Sequence, residues 1–123
     1  MKSIFVFGSN LRGVHGAGAA AYALKHHGAM WGVGEGIQGQ SYGIPTKDIT
    51  IRTLPLSSIK EYVQDFIAYA EAYPELDFKV TRIGCGLAGY TDEQIAPMFQ
   101  HAPSNCYFDH KWAGYLPRHD NWE

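Results

Sequence analysis

Apolar positions along the chain change between a continuous run, a helical period and no period, and those changes mark out the elements. Ser3 to Phe7 (Ser-Ile-Phe-Val-Phe) is a β-branched and aromatic run that reads as a strand buried on both faces and stopped by Gly8. Ala17 to His27 is rich in helix formers, with basic groups in its last turn and Gly28 just beyond, which predicts a helix. Ala29 to Gln40 holds Gly32, Gly34, Gly36 and Gly39 and reads as mobile or irregular, with one short strand at Met30 to Val33. Ser41 to Ile44 is a strand closed by Pro45, which delivers Thr46, Lys47 and Asp48 to a loop.

Ile59, Val63, Phe66, Ile67 and Ala70 recur on one helical face, and Ser58-Ile59-Lys60-Glu61 has the spacing of a capping box at the start. Phe78 to Ile83 is a second core strand. Thr91-Asp92-Glu93-Gln94 again has capping-box spacing and opens a helix to about His101, in which Pro97 predicts a bend or an early end. Asn105 to Phe108 reads as a last strand, and the tail from Trp112 to Glu123 is aromatic and polar without a period. Strands alternating with helices imply crossover units, hence an α/β fold with a largely parallel sheet.

Composition narrows the class. A length of 123 residues suits one domain with its own core, and 46% hydrophobic with 18% charged residues suits a globular chain. No apolar run approaches the roughly 20 residues that span a bilayer, so no membrane partner is expected. Met1 to Gly8 lacks a full signal-peptide core, and two cysteines make no disulfide framework, so a cytoplasmic location is expected. The net charge is −2 and the ten Lys and Arg residues are dispersed, which argues against a long nucleic-acid backbone as main partner.

Two glycine-rich turns carry the candidate chemistry. Gly8-Ser9-Asn10-Leu11-Arg12-Gly13-Val14-His15-Gly16-Ala17-Gly18-Ala19 follows the first strand, and Arg82-Ile83-Gly84-Cys85-Gly86-Leu87-Ala88-Gly89-Tyr90 follows the strand from Phe78. Backbone N–H groups in such turns approach phosphate oxygens closely, because glycine has no Cβ in the way. In a parallel sheet both turns lie outside the carboxyl ends of strands, so they can share one diphosphate. The first turn has neither the Walker A nor the dinucleotide-fold spacing.

Several side chains have two readings. Asn10 can bond a ribose hydroxyl or a water, or hold its own turn. His15 reads as an exposed loop histidine, with donation to phosphate as the alternative. Lys47 is either a solvated lysine or a cation at the sheet edge that engages a ribose or attacks. Cys85 favours packing over nucleophilic work, since no partner pattern accompanies it. Asp92 and Glu93 read as helix-start carboxylates. Tyr90 either covers a ribose or base or packs in the core. His26 and His27 stand at no recognised metal spacing, and no metal or cofactor is expected.

With these residues assembled, the chain resembles the macrodomain family, in the branch containing terminal ADP-ribose protein glycohydrolase and the bacterial DNA ADP-ribosyl glycohydrolase antitoxins. His15-Gly16-Ala17-Gly18-Ala19-Ala20 looks like the first phosphate loop, Tyr42-Gly43-Ile44-Pro45-Thr46-Lys47 like the strand and lysine loop, and Arg82-Ile83-Gly84-Cys85-Gly86-Leu87 like the second phosphate loop. The likeness runs from Ser3 to Phe108. It implies a macro-like three-layer α/β sandwich over residues 1–123, a mixed and largely parallel sheet flanked by helices, of the compact kind that phages and mobile elements carry.

The resemblance further implies ADP-ribose or a related nucleotide as ligand. Gly16, Ala17 and Gly18, with Gly84, Cys85, Gly86, Leu87, Ala88, Gly89 and Tyr90, would face the diphosphate. Asn10 would lie near the distal ribose and Lys47 near the anomeric carbon, with Ser9 and His15 also among the ligand-binding residues. One departure stands out: the human-type enzyme has an aspartate after Gly-Cys-Gly-Leu, where this chain has Ala88. Two functions therefore stay open. One is hydrolysis of an ADP-ribosyl linkage on protein or nucleic acid, with Lys47 and Asn10 as the catalytic pair; the other is a non-catalytic reader or sponge of free ADP-ribose or an NAD-derived signalling nucleotide.

Overall fold

The computed structural model describes residues 3–122. Its strands are β1 (Ser3–Asn10), β2 (Gly36–Gln38), β3 (Ser41–Lys47), β4 (Asp77–Val80) and β5 (Cys106–Phe108); its α-helices are α1 (Gly18–His26), α2 (Leu56–Ala72) and α3 (Asp92–Ile95). The strands form one sheet in the order β2-β3-β1-β4-β5, with β2 antiparallel to β3 and every other pair parallel. No helix among the described residues is long and apolar enough to cross a membrane.

Alternation along β1 builds both cores, which is why its sequence is apolar throughout. Ile4 and Val6 join Ile59, Val63, Phe66 and Ala70 of α2, while Phe5 and Phe7 join Ala20 and Ala23 of α1 on the opposite face. The result is a three-layer α/β sandwich. In the larger core Phe66 meets Tyr42, Phe78 and Phe99 edge to face. Each fully buried aliphatic or aromatic side chain of this kind contributes about 1.5–3 kcal/mol.

The structure moves several expected boundaries. β1 does not stop at Gly8, because Gly8, Ser9 and Asn10 continue to pair with Ile44, Pro45 and Lys47. β3 likewise runs through Pro45 to Lys47. The missing N–H is tolerated there because the register shifts beside Ser9 and Asn10, and β2 pairs only with Ser41 to Gly43. The second core strand ends at Val80 rather than Ile83. α2 begins at Leu56 after an extended Pro55, two residues before the expected Ser58 box.

The Thr91 capping box forms as expected, with Gln94 as its partner, and Pro97 converts the helix to a 3-10 turn over Ala96–Phe99. The tail is packed on the domain through Trp122, and Glu123 lies outside the described residues. Trp112 and Leu116 are buried, and Trp122 donates its indole N–H to the Val80 carbonyl at 3.0 Å.

The largest correction concerns residues 29–40. Met30 to Val33 is a turn, not a strand, and the strand of this segment is β2 at Gly36–Gln38. Far from being loose, the segment packs backbone against backbone on the first glycine turn. Gly32 N–H donates to the Gly13 carbonyl at 2.8 Å, and Gly34 lies so close under the Asn10 carbonyl that a Cβ there would overlap it. Gly34 on this segment and Gly13 on the turn, whose added Cβ would overlap Gly32, are the glycines that this close approach needs.

Candidate functional site

The carboxyl ends of β1, β3 and β4, adjacent in the sheet, open onto one cleft of about 570 Å³. That volume suits a nucleotide-sized ligand. The first turn lines it with Ser9, Asn10, Gly16, Ala17 and Gly18, the second with Gly84 through Ala88, and Lys47 reaches it from the end of β3. Two turns far apart in sequence thus meet because β1 and β4 are neighbours.

The start of α1 faces this cleft. Ala17 is its N-cap and has no side chain able to accept from the first helical turn, so those N–H groups lack an intrahelical or side-chain partner. Ala17, Gly18, Ala19 and Ala20 all line the cleft. Helix-terminal amides of this sort, with the dipole behind them, attract an anion. The charged residues in the lining are Lys47 and Arg82, and it includes no carboxylate or imidazole.

Asn10 is largely committed to its own loop. Its Nδ2 donates to the Val14 carbonyl at 2.8 Å, and its Oδ1 accepts from Val14 N–H at 3.0 Å. Its second amide proton and the second lone pair of Oδ1 have no hydrogen-bond partner in the protein. Ser9 is buried, with its hydroxyl turned to the Asn10 carbonyl at 3.4 Å.

Three expected residues lie elsewhere. His15 is neither exposed nor in the cleft lining: it is 1% exposed, edge-on to Phe7, with Nε2 3.0 Å from the Val33 carbonyl. Gln38 donates to that same carbonyl at 3.0 Å, so His15 and Gln38 together fasten the glycine segment to the first turn. Gly89 and Tyr90 are also absent from the lining. Tyr90 packs on the larger core and donates its hydroxyl to the Leu54 carbonyl at 2.6 Å, which anchors the end of the second turn.

Cys85 lines the cleft as a neutral thiol. Burial first, then the neighbouring Asp92 carboxylate, pushes its pKa up to about 12, and the thiol donates to the Ile83 carbonyl at 3.5 Å, so it is no thiolate nucleophile near neutral pH. The packing reading therefore stands.

Sequence reasoning missed Arg82, Thr46 and Ile51 as cleft residues. It also read Asp92 as a helix-start carboxylate only. Asp92 accepts a two-pronged contact from Arg82, Nε to Oδ1 at 2.8 Å and Nη2 to Oδ2 at 2.7 Å, and a third bond from the Trp112 indole at 2.7 Å. This cluster ties the second turn to α3 and to the tail. Arg82 first, then the indole, holds the Asp92 pKa down to about 2, against burial that opposes it.

A lowered folded-state pKa adds stability that is present above the unfolded value of 3.8 and lost as pH falls toward about 2. Asp92→Asn should accordingly lose about 2 kcal/mol at pH 7 by urea unfolding. Its stability should also be flatter than that of the wild type between pH 4 and pH 2. An unchanged acid limb would refute the assignment.

Comparison of the chain with protein-family models, curated proteins and solved structures finds no match.

Proposed function

We propose that this protein binds ADP-ribose or an ADP-ribosyl group in the cleft at the ends of β1, β3 and β4. One observation carries the reading: the uncapped start of α1 and the second glycine turn, after neighbouring strands, line a single cleft whose charged lining residues, among those described, are the cations Lys47 and Arg82. A diphosphate spans two such amide clusters, and the cleft has room beyond it for a sugar beside Lys47. The likeness of the glycine turns to macrodomain phosphate loops supports the same ligand. ADP-ribosylated protein or nucleic acid would then be the partner, in a cytoplasmic setting that suits two free cysteines.

Hydrolysis of the linkage is the catalytic form of this proposal. Lys47 would stabilise charge at the anomeric centre, with Asn10 orienting the ribose or a water through its remaining amide proton. A reader or sponge without turnover is the second reading, favoured by a lining that has no carboxylate or imidazole to serve as general base.

Calorimetry with ADP-ribose, ADP and NAD tests the ligand, and ADP-ribose is expected to bind. Failure of all three to bind would defeat the assignment. Incubation with ADP-ribosylated DNA and protein then separates the two forms. Release of ADP-ribose that disappears in Lys47→Ala establishes hydrolysis, whereas stoichiometric binding without release, unchanged in Lys47→Ala, establishes the reader.

A further inference from the structure

The two edges of the sheet are finished differently. At β5 the tail closes the edge: Phe108 N–H donates to the Asp120 carbonyl at 2.9 Å, and Trp122 N–H donates to the Phe108 carbonyl at 3.1 Å. Among the described residues no strand pairs with the outer side of β2. The Gln40 carbonyl accepts from Phe5 N–H at 3.0 Å, so residues 40 and 42 turn their backbone groups toward β1, while 41 and 43 turn theirs toward β2. Ile37, opposite Tyr42, therefore turns its own N–H and C=O to the open side.

Residues paired across a ladder share a face, and Tyr42 packs against Phe66 and Tyr69 of α2, with ring centroids 5.1 and 5.3 Å away. The Ile37 side chain is thus on the α2 side of the open edge, and it is 41% exposed. Exposed carboxylates gather at the same place. Glu35 directly precedes β2, and Glu61 and Asp65 are one turn apart on α2. Burial first, then the charge of Asp65, raises the Glu35 carboxyl above its usual range; burial, then Glu35, Asp65 and Glu61, does the same to the Tyr62 hydroxyl. No Lys or Arg among the described residues makes an ion pair with any of the three. Lys60, next to Glu61 in sequence, lines a separate groove against residues 94–101.

We propose that the β2 edge is a docking strand for an extended basic segment of a partner protein, which adds a strand beyond β2 and sets Lys or Arg side chains against Glu35, Glu61 and Asp65. The charge decides the occupant. A second copy joined edge to edge would bring the carboxylates of both copies to one seam, where like charges repel. An extended basic segment gains backbone hydrogen bonds from Ile37 and places alternate side chains beside the acidic ones. None of Glu35, Ile37, Glu61 and Asp65 lines the nucleotide-sized cleft, so this surface stands apart from the ADP-ribose reading.

The test follows the Ile37 amide by NMR as a synthetic peptide of alternating lysine and valine, about eight residues long, is added to about 1 mM, where weak contacts register. The peptide should shift that amide and slow its hydrogen exchange. Asp65→Lys, an exposed substitution, should bind it about tenfold more weakly while keeping its melting temperature and its ADP-ribose affinity. A glutamate and valine peptide should not bind, nor should the lysine peptide N-methylated at every amide, which cannot donate to a strand. An unmoved Ile37 amide, equal binding by the glutamate or methylated peptide, or undiminished affinity in Asp65→Lys would overturn the docking strand. So would a concentration-dependent dimer of the protein alone that protects the Ile37 amide, since the occupant would then be a second copy.

Discussion

Gly13→Ala is expected to lose about 2–5 kcal/mol of folding stability, a large share of the roughly 5–15 kcal/mol that holds a domain folded. Gly13 is buried at φ +75°, and a Cβ built there would overlap the backbone of Gly32 and Val33. The left-handed conformation costs a non-glycine residue about 1–2 kcal/mol, and forcing two backbones apart adds about 1–3 kcal/mol. Neither neighbour can rotate away, since the obstruction is main chain, and Gly32 is itself bonded to the Gly13 carbonyl. Urea unfolding measures the loss. Gly114→Ala is the control, with nothing within 4 Å of the added carbon and no positive φ, and should change stability by less than about 0.5 kcal/mol. Equal effects at the two positions would show that the first turn does not depend on close packing against residues 30–34.

Gly86→Asp is expected to abolish ADP-ribose binding while leaving the fold intact. Gly86 is exposed at the tip of the second turn, lines the cleft, has no positive φ and has open space where a Cβ would go. The aspartate would put a second negative charge against the diphosphate in the part of the cleft whose amides are meant to face it. Juxtaposed like charges at a binding surface cost several kcal/mol, so affinity should fall by at least about 100-fold, or roughly 3 kcal/mol. Calorimetry reads the binding and thermal unfolding reads the fold. Gly86→Ala separates charge from bulk and should lose far less. If Gly86→Asp binds ADP-ribose as the wild type does, the second turn is not a phosphate loop.

The sequence was legible wherever a single element carried its own pattern. The apolar run Ser3 to Phe7 and the period of Ile59, Val63, Phe66 and Ala70 both mark faces that are buried in the structure. Thr91 and Gln94 make the cap their spacing predicts. These are local or periodic signals, and burial against a sheet preserves them. Boundaries were less legible, because the pairing of Gly8 to Asn10 with β3 depends on a strand more than thirty residues away.

The glycine segment from Ala29 to Gln40 shows the limit most plainly. Four glycines in twelve residues read as looseness when nothing indicates what lies opposite. In the fold, Gly34 and Gly32 are where a second backbone presses in, and His15 and Gln38 converge on the Val33 carbonyl to hold it. His15 carried no sequence mark of burial, because the apolar neighbours that enclose it, Phe7 and Trp31, come from other elements.

By itself the sequence determined the alternation of strand and helix, the two glycine turns after strands and the start of a helix at the first of them. Those follow from local sterics and from side-chain period. Only the tertiary structure decided that β1 lies between β3 and β4, and so that both turns and Lys47 share one cleft. It alone withdrew His15 and Tyr90 to supporting roles, joined Arg82 to Asp92 and Trp112, and turned Ile51 into the cleft wall. Strand order and side-chain partnership are set by contacts between distant segments, and no local pattern encodes which segments will meet.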